Sequence, residues 1–328
     1  MANPPPYTNI TGISRAAMKD NAQITLADYN GNARPGELVV DQTNDNLYVG
    51  NSNGSLTLIA SGSGTETWAT LGDKNNANGP DKIALGNSAG LTSQGNYAVA
   101  VGVVAGTNTQ GASAVAVGYL AGTTSQGASA VAIGLNTGST GQGTYSVAIG
   151  AGAGHNGQGN NSVAIGLDTG LTTQGNGAVA VGKQAGETTQ GINAVAIGLE
   201  AGKTTQGTES VAIGEGAGKT TQGAYSVAVG LQAGQTSQGS TAVALGYNAG
   251  LTSQGISAVA IGYFAGATSQ GANSIILNAT GSALNQTTAS TFTVKPVRDG
   301  GSAAGMAAAG FRPTYYNPTT GEFVYSSS

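Results

Sequence analysis

The sequence predicts an all-β protein. Its central part reads as a parallel β-roll or β-solenoid of 16-residue coils, with small β modules at both ends. Three observations carry this. Gln-Gly recurs at Gln94, Gln110, Gln126, Gln142, Gln158, Gln174, Gln190, Gln206, Gln222, Gln238, Gln254 and Gln270, every gap being 16 residues. So short and strict a period marks a stack in which each repeat is one coil. The apolar part of each repeat is a run of about five β-favouring residues bounded by glycine, such as Ala194-Val195-Ala196-Ile197-Gly198. Glycine every few residues is too costly for a helix interior.

Taken in order, residues 1–34 are polar and mixed. Pro4-Pro5-Pro6 is extended by its fixed φ, and Ser14-Arg15-Ala16-Ala17-Met18-Lys19 fits a short helix. This segment is expected to be ordered by docking onto a larger assembly. Residues 35–62 read as a β-hairpin module: a strand over Gly36-Glu37-Leu38-Val39-Val40-Asp41, a turn at Asn44-Asp45-Asn46, and a return over Leu47-Tyr48-Val49-Gly50. A second turn at Asn53-Gly54 precedes Leu56-Thr57-Leu58-Ile59. Residues 63–80, rich in Ser, Gly and Asn, form a linker whose Trp68 is expected to cap the first exposed coil edge.

Residues 81–282 are the shaft. Side chains alternate along a strand, so Val99 and Val101 share one face, as do Val131 and Ile133 or Val211 and Ile213. This large branched face is expected to fill the coil. The opposite face is small throughout: Ala100, Ala116, Ala132, Ala148, Ala164, Ala180, Ala196, Ala212, Ala228, Ala244 and Ala260 hold one equivalent place. Uniformly small residues suit close approach to another backbone, so this alanine stripe is expected to be a seam between subunits. The Thr-Ser-Gln and Thr-Thr-Gln segments are expected to stack as hydroxyl and amide ladders. The variable pairs after the strand glycine, such as Tyr119-Leu120 and Lys183-Gln184, are expected to face water. At about 4.8 Å per coil a dozen coils make a rod of roughly 58 Å. One coil encloses little apolar volume, which favours several rods sharing a core.

Residues 283–328 form the C-terminal tip. The repeat decays after Gly271: Ile275-Ile276-Leu277 replaces Val-Ala-Ile and Asn278 replaces the glycine. A strand is expected over Thr291-Phe292-Thr293-Val294-Lys295-Pro296-Val297-Arg298 and a hairpin over residues 315–325.

Composition removes several classes of function. Only 8% of residues are charged, the net charge is −4, and there is no cysteine, so nucleic acid is not an expected partner and thiolate chemistry is excluded. No apolar run reaches the length of a membrane span, and no basic-then-apolar leader opens the chain; no membrane insertion is expected. The single histidine, His155, reads as a solvated side chain. Gly152-x-Gly154-x-x-Gly157 matches the dinucleotide pattern only formally, because no βαβ unit surrounds it. Asp41 and Asp45 offer too few oxygens for a metal. No enzyme activity, cofactor or metal site is expected.

The phrase Ser-Val-Ala-Ile-Gly-x-x-Ala-Gly at 146–154 and 210–218 resembles the head repeat of trimeric autotransporter adhesins of the YadA type. That resemblance implies a homotrimeric left-handed parallel β-roll over residues 81–282. The Thr-Thr-Gln-Gly return segment is longer and more polar than the family's. Residues 33–50 resemble N-terminal modules of phage tail fibre proteins. Residues 294–298 with 315–325 resemble the segment that precedes a self-cleaving chaperone in phage fibres. Together these imply a trimeric phage tail fibre, made in the host cytoplasm and carried on the virion. Its expected partners are itself, other virion proteins through the N-terminus, and a host receptor or glycan. Whether a C-terminal chaperone was cleaved off stays open. The alternatives are a capsid-surface fibre or connector, and an ice-binding solenoid. The last is disfavoured because adjacent threonines such as Thr204-Thr205 are expected to point to opposite faces.

Overall fold

The computed structural model describes residues 38–41, 46–50, 56–60, 81–297 and 314–325. The proposed docking segment, the short helix, the linker and Trp68 lie outside these residues. No helix occurs among the described residues, and none is long and apolar enough to cross a membrane. The chain divides into two compact units, residues 1–85 and 86–328.

In the first unit, strands Leu38–Asp41, Asn46–Gly50 and Leu56–Ala60 form an antiparallel sheet in sequence order. Leu38 pairs with Val49 and Asp41 with Asn46, the register expected for a hairpin over that turn.

The second unit is a parallel β-solenoid. Each coil contributes two short strands. The first carries Val-Ala-Val or Val-Ala-Ile, as in Val99–Val101 and Val131–Ile133. The second ends in glutamine, as in Thr124–Gln126 and Thr205–Gln206. Strands of the first kind form one continuous parallel sheet that runs through to Phe292–Lys295. Strands of the second kind form an 11-stranded parallel sheet from Thr92–Gln94 to Thr252–Gln254. Register advances by one repeat per rung: Val131 pairs with Val147, Ala132 with Ala148, and Gln174 with Gln190. Backbone hydrogen bonds join successive coils even through the turns, for example Gly106 N to Ala121 O and Gly111 N to Gln126 O, at 2.9 and 2.8 Å.

The turns explain the glycines. The strand-ending Gly102 has φ +130°, and a Cβ there would lie 2.4 Å from the Gly118 carbonyl oxygen of the next coil. Only glycine allows coils to stack that closely.

The alternation along the first strand is as expected, but its direction is reversed. Ala100, Ala116, Ala132, Ala148, Ala164, Ala180, Ala196, Ala212, Ala228, Ala244 and Ala260 are all fully buried within the single chain. They cannot be the seam between subunits. The flanking Val and Ile point outward: Ile133, Ile149, Ile165, Ile197, Ile213 and Ile261 are 36–39% exposed. The physical reason is the thinness of the coil. A Cβ on Gly106, in the facing wall, would stand 3.2 Å from the Ala100 methyl, so the interior is one methyl deep at this level. A valine there would overpack the coil.

Buried glutamines fill the rest of the interior. The amide ladder expected from the sequence is present in part: Gln126 Nε2 donates to Gln142 Oε1, and Gln174 Nε2 to Gln190 Oε1, both at 3.1 Å.

The stack continues past residue 282. Ile276 occupies the alanine column, fully buried, and packs in one cluster with Leu284. The strand Phe292–Lys295 is a further parallel rung on Ile275–Asn278 rather than a separate element. The expected terminal hairpin is present, with Thr314–Tyr316 antiparallel to Phe323–Tyr325.

Candidate self-association surface

The outward face of the Val-Ala sheet presents exposed apolar side chains coil after coil. In each rung two branched side chains project from the strand, and the residue two places beyond often adds a third. Leu135, Leu167 and Leu199 are 54%, 45% and 42% exposed in that third column. Parallel in-register pairing repeats these columns on every coil. Parallel sheets are normally covered on both faces, and an apolar strip of this extent marks an interaction surface. The expectation that the variable pairs face water is met only in part, since Val103, Tyr119 and Leu135 extend the apolar strip.

The two long edges of this strip differ. On the edge before the strand, the residue two places ahead of the first valine adopts left-handed φ: Tyr97 (61°), Tyr145 (58°) and Tyr225 (59°) do so, as do Ser113, Ser129 and Asn193. These tyrosines are about 60–65% exposed. On the edge after the strand lie the variable pairs. There a short column of charge spans three coils. Lys203 Nζ lies 2.8 Å from Glu200 Oε1 and 3.4 Å from Glu187 Oε2, and Lys219 Nζ lies 2.6 Å from Glu200 Oε2. Hydrogen bonds from Lys203 and then Lys219 hold the Glu200 carboxyl down at about 2. The same bond to Glu200 raises the Lys203 ammonium.

On that edge too, the coil carrying Ala151 and Gly152 lacks large side chains where its neighbours carry Leu135-Asn136 and Leu167-Asp168. The result is an open notch of about 510 Å³, lined also by His155, Asn156 and Leu171. His155 thus lines a depression rather than a plain solvated face. Gly152 and Gly154 have φ +69° and +56°, and Gly157 +72°, so the formal glycine motif is made of coil turns. Among the described residues no group of three or more potential metal ligands occurs.

The threonine expectation needs correction. Thr172 and Thr173, Thr188 and Thr189, Thr204 and Thr205, and Thr220 and Thr221 are all exposed. The chain bends at the first threonine of each pair, so strict strand alternation does not apply there.

The signal for the outward Val/Ile face was present in the sequence. A strand face that is alanine on every coil fits a thin interior as well as it fits a seam. The glutamine that shares that interior, invariant across the coils, decides between them.

Residues 206–233 match the family model of the YadA head domain repeat, in two copies. A search of curated proteins found no match to the chain, and a search of solved structures found none. In sequence over those two copies, and in a β-solenoid built of the same columns throughout, the shaft is similar to the head repeat of the YadA-type adhesins.

Proposed function

We propose that this chain is the shaft subunit of a homotrimeric fibre, carried on a phage particle and used for reach and host attachment. The observation that carries the trimer is the mismatch between inside and outside. The coil interior holds alanine and glutamine, while valine, isoleucine and leucine stand on the outer sheet face. Fully burying such a side chain contributes about 1.5–3 kcal/mol, and the third to half of each that stays exposed on a lone coil leaves a corresponding part of that unrealised. Three copies with these faces turned to a common axis bury them together. The match to the YadA head repeat supports an adhesin-like fibre. The phage setting rests on the sequence of the two ends, and the same reading places virion attachment in residues 1–34. The repeated coils of the described residues suit a stiff scaffold, and the role in this reading is mechanical and adhesive.

The test of the seam is sedimentation of the purified chain and of an Ile197→Asp/Ile213→Asp variant. The unaltered protein is expected to be a trimer and the variant a monomer with retained β circular dichroism. A monomeric unaltered protein at micromolar concentration refutes the trimer. Removing residues 1–34 is expected to leave a trimer that no longer enters particles, and normal incorporation places attachment elsewhere.

A further inference from the structure

Self-association of a near-identical repeat has a register problem. A slip by one coil keeps every Val-Ala-Ile contact, so the seam specifies axial alignment weakly. An alignment device must therefore be a place where the repeat is irregular. The notch at Ala151 and Gly152 is such a place, and it lies on one edge of the outward apolar strip. A second glycine, Gly216, occupies the equivalent position of Gly152. There the Gln232 and Gln235 side chains close the space, each 3.5 Å from where a Cβ would be. At Gly152 a Cβ would meet Asp168 Oδ1 at 2.4 Å and Leu171 Cδ1 at 3.5 Å, so the open space lies over Ala151, whose place in the Gly216 coil is taken by Glu215.

We propose that this notch is the socket for the Tyr145 side chain of a second copy of this chain, and that the pair sets the axial register between copies. The proposal rests on the reading that copies associate through the Val/Ile face about an axis along the stack.

Three observations select the occupant. The first is height. Tyr145 stands two residues before Val147 and Ala151 two residues after Ile149, so they flank the same rung on opposite edges. Rotation about an axis parallel to the stack brings the leading edge of one copy against the trailing edge of the next, at equal height. The second is chemistry. The notch has leucine walls, from Leu135, Leu167 and Leu171, and polar groups from His155 and Asp168. A ring with a hydroxyl tip matches that combination. The third is exposure. Tyr145 is 65% exposed and holds φ 58°, a conformation costly for a bulky side chain. Tyr97 and Tyr225 come level with Val103-Val104 and Leu231-Gln232, where side chains occupy the equivalent space. A slip by one coil in either direction sets Tyr145 against Leu135-Asn136 or Leu167-Asp168, where there is no gap.

The test uses the full chain, which contains no cysteine. In a Tyr145→Cys/Ala151→Cys variant the two sites of one chain stand on opposite edges of the strand Val147–Ile149, at most about 20 Å apart. A bridge within one chain leaves its mass on a non-reducing gel unchanged, so only bridging between copies is read as a covalent species. Mild oxidation is expected to convert most of the trimer to a covalent species on a non-reducing gel. The slipped controls Tyr145→Cys/Leu135→Cys and Tyr145→Cys/Leu167→Cys are expected to stay uncrosslinked. Co-refolding the two single variants, Tyr145→Cys and Ala151→Cys, gives the same readout if the double variant does not fold. A sedimenting trimer that fails to crosslink at 151, or crosslinks equally at 135 or 167, overturns the socket and leaves the self-association reading standing. A monomer overturns both.

Discussion

Gln110 spans its coil to donate from Nε2 to the Val99 carbonyl, at 2.8 Å. The same bond recurs eleven residues back on every following coil, as from Gln126 to Val115 and from Gln190 to Val179. It ties the second strand to the first through an interior otherwise lined mainly by alanine and glycine until Ile276. The Gln110 Oε1 accepts no hydrogen bond and is buried; a Cβ on Gly106 would lie 2.8 Å from it. The glycine is required there because the amide already occupies the space.

Gln190→Ala is therefore expected to destabilise the chain by about 0.5–1.5 kcal/mol for each side-chain hydrogen bond lost. The carbonyls of Val179 and Ala194 both lose their side-chain donor. Thermal unfolding followed by circular dichroism measures this, and an unchanged midpoint contradicts the role given to the amide.

Two glycines separate stacking from backbone preference. Gly102→Ala would place a Cβ 2.4 Å from a backbone oxygen of the neighbouring coil and is expected to block folding of that coil. Gly141, at φ +67°, has no atom closer than 3.9 Å, so Gly141→Ala is expected to cost only about 1–2 kcal/mol for the left-handed conformation. Equal losses in the two variants would show that packing between coils is not what requires Gly102.

The middle residue of the return strand follows its side chain. Ser93, Ser125, Ser237 and Ser253 take left-handed φ of about 55°. Thr173, Thr189 and Thr205 do not, and their amides instead bond the next coil at 3.0 Å. Thr109 is the exception, a β-branched residue at φ 55°. Thr109→Gly is expected to stabilise by up to about 1 kcal/mol, relief of the left-handed cost outweighing the added freedom of the unfolded chain. Thr205→Gly is expected to destabilise. Chemical denaturation of the two variants compares them directly.

The Glu187, Glu200, Lys203 and Lys219 column predicts an acid dependence. The Glu200 carboxyl is lowered from 4.5 to about 2 in the folded chain. Its contribution is thus present above the unfolded value and is lost as pH falls from about 4.5 through about 2. Lys203, raised in the folded chain, contributes below its unfolded value, and that contribution is lost as pH rises through its raised one. Partly exposed pairs are worth about 0.2–1 kcal/mol, so Glu200→Gln is expected to remove a loss of that size between pH 5 and 2. Parallel acid titrations of the two proteins measure the difference.

The sequence by itself determined the period, the strand positions and the stacking register. Glutamine at every sixteenth residue and glycine at each strand end leave one way to align successive coils, and Val131 over Val147 and Gln174 over Gln190 follow from it. It also determined that Val99 and Val101 lie on one side and Ala100 on the other, since strand alternation is local. Which side faces inward was decided only by the tertiary structure. Alternation is symmetric between the two faces of a strand, and the choice depends on the distance to the opposite wall. That wall is made of Gly106 and the Gln110 amide, which belong to the same coil as the strand but are brought against it only by the turn between them. They leave room for a methyl group at Ala100 and none for an isopropyl group, so the larger side chains were turned out.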